Sequence, residues 1–136
     1  MKAVLKSQAH SVYRIYIHIV FVTKYRHPVI TPELLARLKQ LFTKLCLTQK
    51  SELAECNSEA DHVHLLVDMA PDISVSKLVN ILKTISSREI RKEFADYLKP
   101  YYWKPVFWKR GYCAVSAGGA PLTVIKQYIE NQGRDD

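Results

Sequence analysis

Residues 12–23 read VYRIYIHIVFVT, a run of β-branched and aromatic side chains that begins by alternating and then turns continuously apolar. That change of pattern is expected of an inner strand. Downstream of it, Thr31 and Pro32 supply an N-cap and a first-turn proline, and Ile30 and Leu35 stand where a hydrophobic staple would clasp that end. A helix is predicted from there to about Cys46, with Leu34, Leu35, Leu38, Leu41, Phe42 and Leu45 as its core-facing stripe. Residues 52–57 and 62–69 are separated by SEAD, which suits two strands of an antiparallel hairpin with a short polar loop.

Ser74 caps a second, longer helix to about Leu98, stapled by Ile73 and Leu78, with Val75, Leu78, Leu82 and Ile85 facing inward and Pro100 closing it. The aromatic and basic linker YYWKPVFWKRGY leads into a fourth strand at about residues 107–115. SAGGA, residues 116–120, is a break in which Gly118 and Gly119 permit unusual backbone angles, and residues 121–132 form a last short helix ended by Gly133. The order βαββαβ plus a helix defines an α+β, ferredoxin-like domain, an antiparallel sheet with helices on one face and a C-terminal helix carrying a tyrosine. All 136 residues fit one domain, which buries roughly two thirds of the surface of its unfolded chain.

Composition bounds the function less tightly. Nearly half the residues are apolar and no Gly, Pro or Ser tract interrupts them, which argues against disorder. No apolar run reaches the ~20 residues of a spanning helix, and the N-terminus lacks the apolar core of a signal peptide. A cytoplasmic protein with no membrane partner is expected. Cys46, Cys56 and Cys113 are odd in number and scattered, so they read as reduced core thiols. The net charge of +7 favours a polyanionic partner, although charge alone is a weak guide.

Chemistry enters with DHVHLLVD, residues 61–68. Alternation on a strand sends Val63, Leu65 and Val67 to one face and His62, His64, Leu66 and Asp68 to the other. Histidines at i and i+2 can reach a single ion, and neutral imidazole is a common metal ligand. An isolated pair of this kind is more simply read as histidines on an exposed strand, or as core histidines satisfied by the backbone. The final helix changes the balance, because QYIENQ puts Tyr128 and Gln132 four residues apart on one helical face. The Gln132 amide can join the imidazoles around an ion while Tyr128 attacks a phosphodiester. A phenol with a pKa near 10 needs such an ion to polarise its target. A tyrosine packed on the core beside Val124 and Ile125 is the plainer account of Tyr128 alone.

Taken together, these blocks resemble the single-tyrosine HUH transposases encoded by small bacterial insertion sequences. The resemblance spans nearly the whole chain and is carried by HIVFVTKYR (18–26), DHVHLLV (61–67), KTISSR (83–88), FWKRGYCAVSAG (107–118) and IKQYIENQ (125–132). It implies His62, His64 and Gln132 as metal ligands and Tyr128 as the nucleophile. It also implies Mg²⁺ or Mn²⁺ as cofactor, a 5′-phosphotyrosine intermediate, and single-stranded DNA substrates at hairpin-bearing element ends. The family further implies a homodimer in which the tyrosine helix can complete the partner's site, with SAGGA as the hinge. Two imidazoles suit Mn²⁺ better than the harder Mg²⁺, and both stay open.

Contacts to DNA are expected from cations. Lys77, Thr84, Arg88 and Arg91 fall within a sector of roughly 60 to 100 degrees opposite the apolar stripe of the second helix. Lys83 on the same helix, with Lys24, Arg26, Lys109 and Arg110 elsewhere, completes the set of DNA-binding candidates. Tyr25, Trp103 and Trp108 add rings that can stack unpaired bases. Competing readings are a non-catalytic single-stranded nucleic-acid-binding module, a phosphodiesterase using water, and a domesticated nuclease acting on chromosomal repeats.

Overall fold

The computed structural model describes residues 6–8, 11–13, 15–118 and 122–133, and in it the opening run divides in two. Its first part belongs to a separate hairpin, in which β1 (Lys6–Gln8) pairs antiparallel with β2 (Ser11–Tyr13). Its second part is β3 (Tyr16–Val22). Pairing explains the division, because β3 is zipped along its whole length to a neighbour from Tyr16↔Asp68 to Val22↔His62, whereas residues 11–13 pair with 6–8 instead.

The remaining elements are α1 (Pro32–Thr48), β4 (Glu52–Glu59), β5 (His62–Asp68), α2 (Val75–Glu93), α3 (Ala95–Leu98), β6 (Cys113–Ser116) and α4 (Leu122–Glu130). The four-stranded sheet runs β4-β5-β3-β6 with every neighbouring pair antiparallel. This is the expected ferredoxin-like arrangement, with β3 and β5 in the centre. Alternation divides their side chains between two layers. Ile19, Phe21, Val63, Leu65 and Val67 face the helix pair and pack with Leu34, Leu38 and Phe42 of α1 and Leu78 and Leu82 of α2. Val20, Val22 and Cys113 face the other way and are covered by Ile125 of α4. Helices therefore lie on both faces, which is why the central strand turns continuously apolar.

Local signals set the helix starts. Thr31 accepts a hydrogen bond from the Leu34 N–H at 3.1 Å, and Ser74 accepts one from Lys77 N–H at 3.1 Å. The ends differ from expectation. The predicted helix to Leu98 breaks at Phe94, whose ψ of 30° leaves the helical region before α3 resumes. Its inward stripe also includes Ser86, buried because the Trp108 indole donates to its hydroxyl at 2.9 Å. The fourth strand starts six residues later than residue 107. Phe107 and Trp108 instead pack under the sheet, Lys109 N–H donates to Val22 O at 2.7 Å, and Gly111 at φ 79° redirects the chain before pairing resumes. α4 ends at Glu130, two residues short of Gln132, and residues 119–121 of the expected hinge and helix start lie outside the described residues.

Phe21 is wholly buried at the centre, against Phe42 at 6.0 Å and Trp108 at 5.5 Å between ring centroids. Phe21→Ala should cost about 3–5 kcal/mol, read as a lowered urea midpoint with an unchanged slope. The three cysteines are all buried and free, and burial raises the Cys46 thiol to about 12 and the Cys56 thiol to about 11.

Candidate active site

The alternation along β5 buries Val63, Leu65 and Val67 completely and turns His62 and His64 to the opposite face, where both are half-buried. Across the ladders His62 lies opposite Val22 and Glu59, and His64 opposite Val20 and Asn57.

Each imidazole is oriented by a different partner. Asp61, in the turn that enters β5, holds one carboxylate oxygen 2.9 Å from His62 Nδ1 and the other 3.1 Å and 3.0 Å from Arg26 Nε and Nη2. Burial by itself would raise the Asp61 pKa, but the His62 hydrogen bond and the Arg26 guanidinium outweigh it and hold the carboxyl below its ordinary value. An ionised carboxylate only accepts, so His62 Nδ1 carries the proton. In the neutral ring Nε2 then presents a lone pair, as a carboxylate behind a metal-binding histidine arranges. His64 Nε2 is 2.8 Å from Nδ1 of His18 on β3, and the two rings stack with centroids 4.9 Å apart. Burial, and next the neighbouring His18, keep the His64 pKa below normal and so favour its neutral form.

α4 crosses this face. His62 and His64 line a cavity of ≈ 530 Å³ whose α4 wall is Leu122, Ile125, Lys126, Ile129 and Glu130. Tyr128 lies elsewhere on the helix, packed on the Val20, Val22, Cys113 and Ile125 cluster. Its hydroxyl is 4.0 Å from where a Cβ on Gly111 would stand, on the β6 side. Gln132 folds back on its own helix, its side-chain amide N–H donating to Tyr128 O at 3.2 Å while its backbone carbonyl accepts from Arg26 Nη1 at 3.0 Å. The structure thus gathers the two histidines but not Tyr128 and Gln132 into one cavity. Among the described residues no cluster of three or more His, Cys, Asp or Glu is arranged around an ion.

The turn that carries Arg26 is strained. Tyr25 and Arg26 adopt φ of 59° and 53°, a left-handed region costing non-glycine residues roughly 1 kcal/mol or more each. The surroundings enforce it. Lys24 N–H donates to Phe107 O at 2.8 Å, the Tyr102 hydroxyl to Lys24 O at 2.9 Å, and the Thr23 hydroxyl to His27 O at 2.8 Å.

Other cations expected on DNA divide into two groups. Arg26 is engaged as described, and Lys83 donates to Lys109 O and Gly111 O, both at 2.7 Å, bracing the loop before β6. Lys109 is buried and reaches Gly133 O at 3.4 Å. Lys77, Arg88 and Arg110 are exposed, with Arg88 3.6 Å from Glu89. Arg91 is half-buried and donates to Ser87 Oγ at 3.2 Å, and the half-buried Lys24 has its Nζ 5.3 Å from the Tyr25 ring centroid. Sequence reasoning passed over the orienting roles of Asp61 and His18. Asp61 stands next to His62 in the quoted motif, but His18 meets His64 only through the β3–β5 register, which alternation does not supply.

A family model described as "Transposase IS200 like" matches residues 11–132. The chain belongs to the IS200-like transposase family. The transposase for insertion sequence element IS200 of Salmonella typhimurium is 35% identical over 131 residues, 96% of this chain and 85% of that protein. ISDra2 transposase TnpA of Deinococcus radiodurans is 29% identical over 121 residues, 89% of this chain and 86% of its own. Among solved structures, a crystallised protein from Deinococcus radiodurans assigned as a transposase superposes with a TM-score of 0.84 at 30% identity, over 94% of this chain and 98% of its own. A REP-associated tyrosine transposase bound to a REP hairpin shares the fold, with a TM-score of 0.53 at 13% identity over 92% and 69% of the two chains. This transposase is accordingly a DNA-processing enzyme, and no helix of its described residues is long and apolar enough to cross a membrane.

Proposed function

We propose that this transposase cuts and rejoins single-stranded DNA at insertion-sequence ends, with Tyr128 as nucleophile and His62 and His64 as ligands of Mg²⁺ or Mn²⁺. The observation that carries the reading is the oriented histidine pair beneath the tyrosine-bearing helix, with His62 Nδ1 bound to an ionised Asp61. That donor set fits a divalent ion, since the Asp61 contact puts the proton on His62 Nδ1, so that its neutral ring presents Nε2, and burial favours the neutral form of His64. A bound ion would polarise the scissile phosphate and ease the charge developing there.

The chain's own residues supply the rest. The Tyr128 oxygen attacks phosphorus, the phosphorus–O3′ bond breaks, and the departing strand takes a proton to leave a 3′-hydroxyl. The 5′-phosphotyrosine conserves the energy of the broken bond, so a later 3′-hydroxyl can reverse the step on another end without ATP. Lys77, Arg88 and Arg110, exposed cations, suit the phosphates of the strand. Hairpin-bearing ends are proposed as substrates, in keeping with the REP hairpin held by a protein of the same fold.

Placement of α4 supports a homodimer. With its helix docked as here, a chain presents Ile125, Lys126 and Ile129 to its own histidines and Tyr128 to the β6 side. A homodimer in which α4 instead brings Tyr128 and Gln132 to the partner's histidine pair is proposed to complete the site. The test incubates purified protein with single-stranded oligonucleotides tiled across the DNA flanking its gene, with Mn²⁺ or EDTA, on a denaturing gel. A protein–DNA adduct that appears only with metal is expected. Binding without any adduct would instead favour a non-catalytic module.

Asp61→Asn isolates the orienting contact. It removes the charge that fixes the His62 tautomer and should weaken Mn²⁺ binding by about tenfold or more in a calorimetric titration. Unchanged affinity would place His62 outside the metal site.

A further inference from the structure

One surface beside the histidine cavity has no part in cutting the strand. Trp103 is 78% exposed, the most exposed large apolar side chain among the described residues. One face of its ring rests on Tyr25, with centroids 5.7 Å apart and planes 11° from parallel. Tyr25 is in turn backed by His27 at 5.7 Å and Tyr102 at 6.5 Å, so the stack is a fixed support. Tyr25 holds this ring from its left-handed backbone. Cations surround it. Lys104 Nζ lies 6.0 Å from the Trp103 ring and 5.9 Å from the Tyr25 ring, and Lys24 Nζ lies 5.3 Å from the latter.

The two rings open on a cavity of ≈ 620 Å³ that also includes Arg26, Glu59 and Asp61. Those same three residues line the cavity of His62 and His64. The cavities are therefore neighbours along one path. Aromatic faces edged by lysines match a nucleotide, which offers a π-face and a phosphate together. Away from the ion proposed at the histidines, the carboxylates of Glu59 and Asp61 in the wall disfavour a phosphate, leaving the base as the part that enters this cavity and the lysines as the part that meets the backbone.

We propose that Tyr25 and Trp103 form a stacking platform for one unpaired base of the DNA strand, next to the phosphate held at the histidines. Only the location relative to the cut rests on the cleavage reading above. The platform therefore selects strands that are single-stranded beside the cut, because a base inside a duplex has both faces covered by its stacked neighbours.

The test uses the full chain in EDTA with a thymidine oligomer of about 12 nucleotides, within the range of one single-strand-binding site, and an abasic oligomer of equal length. Trp108 is buried with its indole on Ser86, so quenching reports Trp103. The thymidine oligomer is expected to quench and the abasic one is not, at matched occupancy. Trp103→Ala should bind the thymidine oligomer about tenfold more weakly, the scale of one base–aromatic stack, and the abasic oligomer equally well. Trp103→Phe should restore most of the difference and its melting temperature should match the parent. Equal affinity of Trp103→Ala for the thymidine oligomer, or an equal loss on both oligomers, overturns the platform. The cleavage reading fails separately, if no metal-dependent adduct forms while the thymidine oligomer still quenches.

Discussion

Tyr128→Phe is expected to abolish the metal-dependent protein–DNA adduct, lowering cleavage by about 10³-fold or more, the scale on which loss of a nucleophile acts in covalent catalysis. The substitution removes one oxygen and keeps the ring. That ring packs on Val20, Val22 and Cys113, so the apolar contact that seats α4 survives, and stability should change by less than about 1 kcal/mol. Metal affinity and binding of the uncut strand should also be unchanged, because the substitution leaves His62, His64 and Lys77 in place. Denaturing gels, a calorimetric Mn²⁺ titration and a thermal melt together separate these effects. Cleavage that persists in Tyr128→Phe without an adduct would assign the attack to water instead of Tyr128. Mixing Tyr128→Phe with a His62→Ala, His64→Ala chain then asks where the helix docks. Restored adduct in the mixture means that the tyrosine of one subunit serves the histidines of another, while a dead mixture means that each chain works alone.

How much of this arrangement was legible in the sequence depends on the range of the interaction involved. The sheet and its two covering helices follow from local rules. Period-two alternation in DHVHLLVD, the Thr31 and Ser74 caps and the stripe from Leu34 to Phe42 all act within a few residues, and each recurs in the structure. Misplaced boundaries fall where distant partners decide. Residues 107–112 look like a strand by composition, yet Phe107 and Trp108 are drawn into the core beside Phe21 and Tyr102, and Gly111 turns the chain before β6 can start. The break at Phe94 likewise has no proline or glycine to announce it. In the site, the face shared by His62 and His64 was legible because it is a property of one strand. The Arg26–Asp61 pair and the His18–His64 contact were not, since they join residues 35 and 46 positions apart through the fold. Arg26, beside rings that can stack bases, and Lys83 stand as DNA-binding candidates in the sequence. A cation's sequence position does not reveal the carbonyls and carboxylate that engage it inside the folded chain.

Removing the histidines should show that they act as one unit. His62→Ala and His64→Ala are each expected to lower Mn²⁺ affinity by at least about tenfold and to bring adduct formation close to background, and the double variant should be little worse than either. The reason is that a strand offering one imidazole no longer holds the ion, so the second removal takes away a ligand that has already lost its purpose. Additive losses would instead mean that the two rings serve separate ends, such as one touching DNA directly. The two single variants should nonetheless differ in stability. His62→Ala leaves Asp61 still paired with Arg26, whose two nitrogens stay at 3.1 Å and 3.0 Å in the parent fold, so little is orphaned. His64→Ala strips His18 of its partner at 2.8 Å on a half-covered face, which should cost about 1 kcal/mol more. A urea titration of both variants measures that gap without metal or DNA. It therefore separates what His64 does for the sheet from what it does for the ion. If His64→Ala proves as stable as His62→Ala, the His18 contact adds nothing to the fold, and His18 stands beside His64 solely to orient it.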